Sequence, residues 1–358
     1  MYKIERSKLP ALFQLIAKQQ ELYLPVKQAD SGVSLNTASS RSVDFANYSE
    51  EAEVELDKLN TVKSPKDAFF PQSENLYTCL RDGKKISITP EELHNQSFVI
   101  FGMKACDVRG VEVLDKVFLV DPVDTFYAAR REHGTIVSLA CNEPEETCFC
   151  QAFGIDAANP GADVSTWLTG DTLYWQANTE KGERLTSQVE SVLHACEDTQ
   201  AENKPVQELQ ASIQGILKKL PYANLSLEGW NGDVLDEKFN SEIWEDLYKS
   251  CLACGTCTFV CPTCQCYDIK DYDTGKGVQR YRCWDSCMYS DFTMMAHGNN
   301  RTTQMQRFRQ RFMHKLVYFS ANNEGMYSCV GCGRCVSKCP SALNIVKVVK
   351  AFEHKGGK

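Results

Sequence analysis

Cysteine is the residue type with which this sequence could do chemistry, and its densest stretch, from Cys251, reads CLACGTCTFVCPTCQC. The chain has 18 cysteines among 358 residues. Its N-terminal stretch, MYKIERSKLPALFQLIAKQQ, lacks the apolar core of a secretory signal peptide, so we expect a cytoplasmic protein. Because cytosolic thiols are kept reduced, structural disulfides explain these cysteines poorly. Metal ligation is the better hypothesis.

Two runs share one spacing, which is Cys-x2-Cys-x2-Cys-x3-Cys-Pro. The first run is CLACGTCTFVCP from Cys251, and the second is CVGCGRCVSKCP from Cys329. This is the spacing of bacterial ferredoxins, in which three cysteines of a run hold one [4Fe–4S] cubane and the fourth cysteine ligates the other cluster. The sequence therefore predicts two clusters. The first would be held by Cys251, Cys254, Cys257 and Cys339, and the second by Cys329, Cys332, Cys335 and Cys261.

Zinc is the alternative metal for closely spaced cysteines. Zinc ribbons usually combine two separated Cys-x2-Cys pairs, or such pairs with histidine, and leave no fourth cysteine before a proline. Two complete copies of the longer run therefore favour iron–sulfur clusters over zinc.

A third group of cysteines follows two predicted strands of the N-terminal region. SFVIFG from Ser97 and TIVSLA from Thr135 have the apolar runs of buried strands that end at Cys106 and Cys141, and VEVLDKVFLV between them fits a crossover helix. A βαβ unit of this kind pairs its strands in parallel, and residues past the carboxyl ends share one crevice. The segment ACNEPEETCFC brings two more thiols to this place. The predicted ligands of a third [4Fe–4S] cluster are Cys106, Cys141, Cys148 and Cys150.

Two alternative roles for this third group remain open. The four cysteines could be inert core residues, which is common for free cysteine, or they could be zinc ligands. Arg109 could offset the charge of a cluster and Asp107 could orient the loop, although either residue also fits a simple turn.

The insert between the two ferredoxin runs contains four further cysteines, Cys264, Cys266, Cys283 and Cys287. They could form a fourth metal site, carry thiol–disulfide chemistry, or pack around the clusters as small apolar residues. We favour packing. Cys79 and Cys196 stand alone in the sequence and are predicted to have no chemical role.

The insert also contains RFRQRFMHKLVYF from Arg307, which has helical periodicity. The apolar residues of its predicted buried face are Met305, Phe308, Phe312, Leu316 and Phe319. Along another face Arg307, Arg311 and Lys315 recur every four residues, where like charges repel unless an anion lies nearby. An anionic cluster, an acidic partner or simple solvation would each account for these cations.

Composition limits the class of protein. The chain is 43% hydrophobic and 24% charged, which is typical of soluble globular proteins. Its net charge of −8 argues against nucleic acid as the main partner, because phosphate binding needs a basic surface. No apolar run reaches the length of about 18 residues that marks a membrane-spanning helix.

The predicted architecture has two parts. Residues 1–240 are expected to form a mixed α/β domain that contains the βαβ unit, a polar loop from Asp30 to Ser49 and a helical connector at its end. Residues 241–358 are expected to form a mostly helical, ferredoxin-like domain that holds two [4Fe–4S] clusters and carries a long insert.

The chain resembles the iron–sulfur subunit of anaerobic sulfite reductases and the related beta subunit of soluble sulfhydrogenases and NAD(P)-linked hydrogenases. The resemblance covers most of the chain and rests on FFPQSENLY, FGMKACDVRGVEVLDKVF, RREHGTIVSLACNEPEETCFC, CLACGTCTFVCPTCQCYD, WDSCM, MMAHGNNR, HKLVYF and CVGCGRCVSKCP. TCQC looks shared with the family, whereas Cys283 looks like a departure that weakens any four-thiol site depending on it. The resemblance implies a subunit that passes electrons through [4Fe–4S] clusters. Its partners would be a flavin subunit that oxidises NAD(P)H and a separate catalytic subunit.

The residues themselves favour the same function. The sequence has no Gly-x-Gly-x-x-Gly fingerprint, no Ser-His-Asp arrangement and no paired carboxylates, and its histidines are scattered. Clusters without a substrate or nucleotide site indicate an electron relay in a hetero-oligomer, rather than the catalytic subunit itself. Two alternatives are a catalytic subunit of heterodisulfide-reductase type, which would use Cys264, Cys266 and Cys287, and a zinc-binding scaffold.

Overall fold

The computed structural model describes residues 1–27, 43–57, 61–197 and 200–353. The strands are β1 (Tyr2–Glu5), β2 (Glu21–Lys27), β3 (Val43–Asn47), β4 (Ser73–Asp82), β5 (Lys85–Pro90), β6 (Phe98–Met103), β7 (Gly134–Leu139), β8 (Val164–Thr169), β9 (Thr172–Ala177), β10 (His194–Ala195), β11 (Tyr267–Asp273), β12 (Gly277–Trp284), β13 (Met294–Met295) and β14 (Gly298–Asn299). The helices are α1 (Leu9–Ala17), α2 (Ala105–Phe118), α3 (Thr125–His133), α4 (Glu180–Val189), α5 (Gln200–Leu217), α6 (Leu235–Phe239), α7 (Ile243–Leu247), α8 (Thr256–Phe259), α9 (Gln304–Met313), α10 (Phe319–Asn322), α11 (Arg334–Ser337) and α12 (Ile345–Glu353).

The loop predicted from Asp30 to Ser49 is wrong for Val43–Asn47. These residues form β3, which pairs antiparallel with β2. Residues 30–42 of the predicted loop lie outside the described part of the chain.

Eight strands form the larger sheet, in the order β10-β1-β9-β8-β7-β6-β2-β3. Strands β2, β6, β7 and β8 are parallel neighbours, and the outer pairs are antiparallel. Strand β6 is apolar and buried throughout, because helices cover both faces of the sheet. Val99 and Phe101 pack with α1 and α4, whereas Phe98 and Ile100 pack with α2 and α3.

The carboxyl edge of β6 and β7 positions the third cysteine group. The two strands pair in parallel with Ile100 opposite Ile136, and α2 and α3 lie between them in the chain. The expectation that Cys106 ends a strand is wrong, since β6 ends at Met103 and Cys106 lies in the first turn of α2. Cys141 follows the end of β7 closely. Both cysteines therefore lie at the same edge of the sheet.

A second sheet has the order β11-β12-β4-β5 and joins distant parts of the chain. Strands β4 and β5 belong to the N-terminal region, whereas β11 and β12 lie in the insert between the ferredoxin runs, where no strand was predicted. Arg282 of β12 stands opposite Glu74 of β4, and its Nε donates to Glu74 Oε2 at 2.7 Å. Both side chains are buried, so this ion pair fixes the register between the two regions.

The region after residue 240 packs around an apolar core that also includes Phe149, Leu225 and Trp230 from earlier in the chain. Phe308, Phe312 and Leu316 are buried, as their helical spacing predicted, and they pack with Trp244 of α7 and Phe352 of α12. The backbone between α9 and α10 forms a π-helical turn. None of the helices in the described ranges is long and apolar enough to cross a membrane.

Candidate metal centres

The first group of predicted ligands meets in one pocket. The cysteines that line it are Cys251, Cys254, Cys257 and Cys339. Backbone amides point at two of these sulfurs: Ala253 N donates to Cys251 Sγ at 3.4 Å, and Leu343 N donates to Cys339 Sγ at 3.2 Å. Four convergent thiols with amide donors are the donor set of a [4Fe–4S] cubane.

Glycine shapes the loop of the first run. Gly255 has a φ of 74°, and a Cβ at this position would lie 2.6 Å from Tyr289 Oη. The Tyr289 hydroxyl donates to Cys254 O at 3.2 Å. Cys254 is exposed, and hydrogen bonds with Thr256 hold the pKa of its thiol below the ordinary value. The first group therefore presents one thiol at the surface.

The structure also brings together the second group, Cys261, Cys329, Cys332 and Cys335. Burial raises the pKa of Cys329 to about 12, and the nearby thiols of Cys261 and Cys332 act in the same direction. Cys335 has the other three thiols as neighbours. Lys315 faces this group, because its Nζ donates at 2.8 Å to Thr263 Oγ1, which lies 3.2 Å from Cys261 Sγ.

The third group lies in a pocket at the carboxyl edge of β6 and β7. The pocket is lined by Cys106, Cys141, Cys148 and Cys150, together with Lys104. Burial raises the pKa of Cys141 to about 12 and that of Cys150 to about 11. Thiols that ionise so reluctantly are inert alone and become thiolates when a metal centre replaces the proton. The donor set fits a third cubane.

The second run docks directly onto the third group. Phe149 N donates to Gly331 O at 2.8 Å, and Cys332 lines the pocket of the third group. A Cβ on Gly331 would lie 2.5 Å from Phe149 O, and a Cβ on Gly333 would lie 2.6 Å from Thr147 O. Only glycine allows this close approach, so the second and third groups are immediate neighbours.

Asp107 and Arg109 have contacts that the sequence did not indicate. Asp107 accepts two hydrogen bonds from Arg334, with Nη1–Oδ1 at 2.7 Å and Nη2–Oδ2 at 2.8 Å, and both side chains are 2% exposed. This ion pair ties α2 to the second run. Arg109 pairs instead with Glu112 at a partly exposed position. Sequence reasoning missed Arg334, although its place between two ligands in CGRC was a usable signal.

Buried cations lie between the first and second groups. Arg311 and Lys315 are 4% and 5% exposed. Arg311 lies near Cys257 of the first group and Cys335 of the second, and Lys315 lies among the thiols of the second group. Arg307, the third cation of the predicted stripe, is partly exposed. Solvation therefore fails to account for Arg311 and Lys315, and an anionic cluster on each side of Arg311 fits them.

Three of the remaining insert cysteines gather beside Cys261. Cys264 shares a hydrogen bond with Cys261, and Cys266 shares one with Cys287. The hydrogen bond from Cys287 lowers the pKa of Cys266 to about 7. Cys283 stands opposite Asp268 in the β11–β12 ladder. It takes no part in this thiol group.

The spacing of the thiols bears on the choice of metal. Among the residues that the structure describes, no three histidine, cysteine, aspartate or glutamate side chains converge tightly enough to hold a single ion. A zinc ion needs its ligands at about 2.0–2.3 Å. The two complete Cys-x2-Cys-x2-Cys-x3-Cys-Pro runs, which are typical of cubane ligands, are the reason to prefer clusters over zinc.

Two similarities to known proteins agree with these groups. The model of the 4Fe-4S dicluster domain family matches residues 250–343, which contain both ferredoxin runs. Sulfhydrogenase 2 subunit beta of Pyrococcus furiosus is 30% identical over 349 residues, which are 97% of this chain and 96% of the relative. No solved structure matches the chain. The resemblance noted in the sequence is thereby confirmed, and the chain belongs to the sulfhydrogenase beta-subunit family of iron–sulfur proteins.

Proposed function

We propose that this chain is the electron-transfer subunit of a larger oxidoreductase, and that each of its three cysteine groups holds a [4Fe–4S] cluster. Its partners would be a flavin subunit that oxidises NAD(P)H and a catalytic subunit of the hydrogenase or sulfite reductase type. The dicluster domain and the relationship to a sulfhydrogenase beta subunit support this role.

The observation that carries the proposal is the unbroken arrangement of the three groups. Cys332 belongs to the second group and also lines the pocket of the third. The second and first groups meet across Arg311, which lies near both Cys335 and Cys257. The groups thus form a row in the order third, second, first. A row of adjacent redox centres is what a relay between two partners requires.

The end of the row at the first group has an apolar surface. Cys254 is exposed there, and the neighbouring Leu252 is 67% exposed. The hairpin β13–β14, which comes after Tyr289 in the chain, also exposes two apolar side chains, Met294 at 59% and Met295 at 61%. Exposed apolar side chains in such a patch mark an interaction surface.

The opposite end, at the third group, has a different chemical character. Its loop carries three exposed carboxylates, Glu143, Glu145 and Glu146. An acidic surface attracts a basic partner, whereas the apolar end favours a partner with an apolar surface. Two chemically different ends suit a relay that serves two different subunits.

The direct test is the amount of iron and acid-labile sulfide per chain in anaerobically purified protein, with EPR of the reduced form. We expect about 12 irons, because each of three cubanes holds four. Cys106→Ser should remove the signal of the third cluster. Cys79→Ser is the control, because Cys79 lies in the second sheet opposite Ile88. A value of about 8 irons in the unaltered protein would contradict the third site and leave the first two.

A catalytic role in thiol–disulfide chemistry is the second candidate, because Cys264, Cys266 and Cys287 gather beside Cys261. This role requires a substrate to reach the thiols. Loss of turnover in Cys264→Ser, with all cluster signals intact by EPR, would favour it over a plain relay. Unchanged turnover would count against it.

A further inference from the structure

Cys266 and Cys287 are brought together by the end of the β11–β12 ladder. The ladder continues one step beyond the strands, where Asp285 N donates to Cys266 O at 2.9 Å. A tight turn follows, in which Tyr289 N donates to Ser286 O at 2.9 Å. This turn returns the chain over Cys266, and the thiols of Cys266 and Cys287 become hydrogen-bonding partners.

Contacts other than those of the thiols hold this turn in place. Ser286 is fully buried, and its Oγ accepts from Thr258 Oγ1 at 2.9 Å and from Met288 N at 3.2 Å. Thr258 belongs to α8 of the first ferredoxin run. The position of the two thiols is therefore fixed by the domain that carries the predicted clusters.

The pair also lies next to the second cysteine group. Cys264 is hydrogen-bonded to Cys261 of that group and is a near neighbour of Cys266. Lys315 lies near Cys261, Cys266 and Cys287 alike. A continuous set of sulfur atoms thus leads from the pair to the second group.

We propose that Cys266 and Cys287 form a reversible disulfide that exchanges two electrons with the relay. The inference goes beyond the proposed relay function and rests on it for the acceptor and donor of those electrons. On oxidation both S–H bonds break, one S–S bond forms, and two protons and two electrons leave. The electrons pass one at a time to the second group. The protons leave to solvent, because both thiols are partly exposed, and reduction reverses each step.

The test uses the cluster-containing protein, purified anaerobically and poised with redox mediators over a range of potentials. Each sample is quenched in acid with N-ethylmaleimide, digested with trypsin and examined by mass spectrometry. A Cys266–Cys287 disulfide joins the tryptic peptides 250–270 and 283–301. We expect the joined peptide to rise from background in the reduced protein to the major form in the oxidised protein.

The chain offers a matched control. Cys283 lies in the same tryptic peptide as Cys287 but stands opposite Asp268 in the ladder. The joined peptide should persist in Cys283→Ser and disappear in both Cys266→Ser and Cys287→Ser. Iron, labile sulfide and EPR are measured on the same samples. All three variants should retain the iron content of the unaltered protein, because none of these thiols is assigned to a cluster.

Three results would overturn the disulfide. The joined peptide could be absent when every cluster is oxidised, or it could persist in Cys266→Ser, which would assign the bond to another thiol. Iron could also fall in both Cys266→Ser and Cys287→Ser, which would make these residues metal ligands. An error in the proposed relay function would give a different result. The unaltered protein would then contain too little iron, whether or not the joined peptide forms.

Discussion

Arg311 and Lys315 are buried cations whose nearest ionisable neighbours are mainly cysteine thiols. Burial of a cation is costly unless an anion and hydrogen-bond acceptors lie nearby. Protonated thiols supply no charge, whereas a cluster with four thiolates is an anion. Arg311 Nε is buried and has no hydrogen-bond acceptor within the described residues. The side chain is thus placed to act as counter-ion to the clusters proposed for the first and second groups.

Replacing Arg311 by Gln should lower the reduction potentials of the first and second clusters. Loss of a nearby positive charge disfavours the reduced cluster, which is the more negative form. One charge at about 7 Å in an effective dielectric constant of about 20 corresponds to about 2 kcal/mol, or on the order of 100 mV for one electron. An EPR-monitored redox titration measures this shift.

Arg309→Gln is the matched control for this change. Arg309 lies in the same helix, stacks on the ring of Phe239 and donates to Phe239 O at 2.9 Å, so its loss should leave the potentials unchanged. A potential that stays fixed or rises in Arg311→Gln would contradict the counter-ion role.

The Asp107–Arg334 pair should contribute strongly to stability. Asp107→Asn preserves the shape of the side chain but leaves the buried guanidinium without its counter-charge, so the free energy of unfolding should fall by about 3–5 kcal/mol. Glu112→Gln breaks the part-exposed pair with Arg109 in the same helix and should cost less than about 1 kcal/mol. Anaerobic urea unfolding, followed by circular dichroism, compares the two. Equal small losses would show that the buried pair is dispensable.

At the scale of whole elements, the sequence predicted what local spacing determines. The ferredoxin runs are local patterns, and the apolar run of β6 marks a strand covered on both faces. Strand β11, YDIKDYD, is mostly exposed and carries charges where an apolar alternation would mark a strand. The insert strands join β4 through long-range contacts, such as that between Arg282 and Glu74, which are 208 residues apart. No local pattern indicates a pairing of that kind.

The third group could be predicted in part, because local apolar patterns mark the two strands that lead to it. Two apolar runs indicated a shared sheet edge, and the cysteines that follow them meet there. The contact that joins this edge to the second run depends on Arg334 and Asp107, which lie 227 residues apart. Its existence follows from the packing of two regions, which spacing alone does not reveal.

The junction between the second run and the third group should fail when Gly331 gains a side chain. A Cβ in Gly331→Ala would lie 2.5 Å from a backbone oxygen, and the residue has a φ of 60°. The loop of the second run must then move away from Phe149, so we expect the third cluster to be lost. This loss corresponds to about four fewer irons per chain. Iron and sulfide analysis measures the loss.

Gly170→Ala separates this packing effect from simple backbone strain. Gly170 has a φ of 55°, but a Cβ there would meet nothing within 4 Å. Its substitution should cost about 1–2 kcal/mol of stability through the left-handed backbone and leave the iron content unchanged. Full iron content in Gly331→Ala would contradict the close junction.

For the whole molecule, the main requirement of a relay is that the distances between its centres stay fixed. The contacts that connect the N-terminal region to the rest include the β4–β12 pairing, the Asp107–Arg334 pair and the Gly331 junction. The latter two lie directly between the second and third groups. A buried ion pair and a close backbone contact therefore lie where the proposed row of centres passes from one region to the other.

Electrons should enter or leave the row at the exposed Cys254, so a partner subunit should cover the apolar residues around it. Leu252 is 67% exposed, and its burial against a partner would contribute about 1–3 kcal/mol. We expect Leu252→Asp to weaken binding of that partner about tenfold or more, without changing the cluster potentials. The rate of electron transfer, measured in separate titrations with the flavin partner and with the catalytic partner, identifies which one is affected.

Ile86→Asp tests the competing surface, because Ile86 on the outer strand β5 is 64% exposed and belongs to the second sheet. If electrons leave the row at the first group, Ile86→Asp should not change electron transfer to the partner whose binding Leu252→Asp weakens. The opposite outcome, in which Ile86→Asp blocks transfer and Leu252→Asp does not, would place the partner on the second sheet. The exposure of Cys254 would then have no role in electron transfer. Electrons would have to enter or leave the row at the third group, where the exposed carboxylates lie.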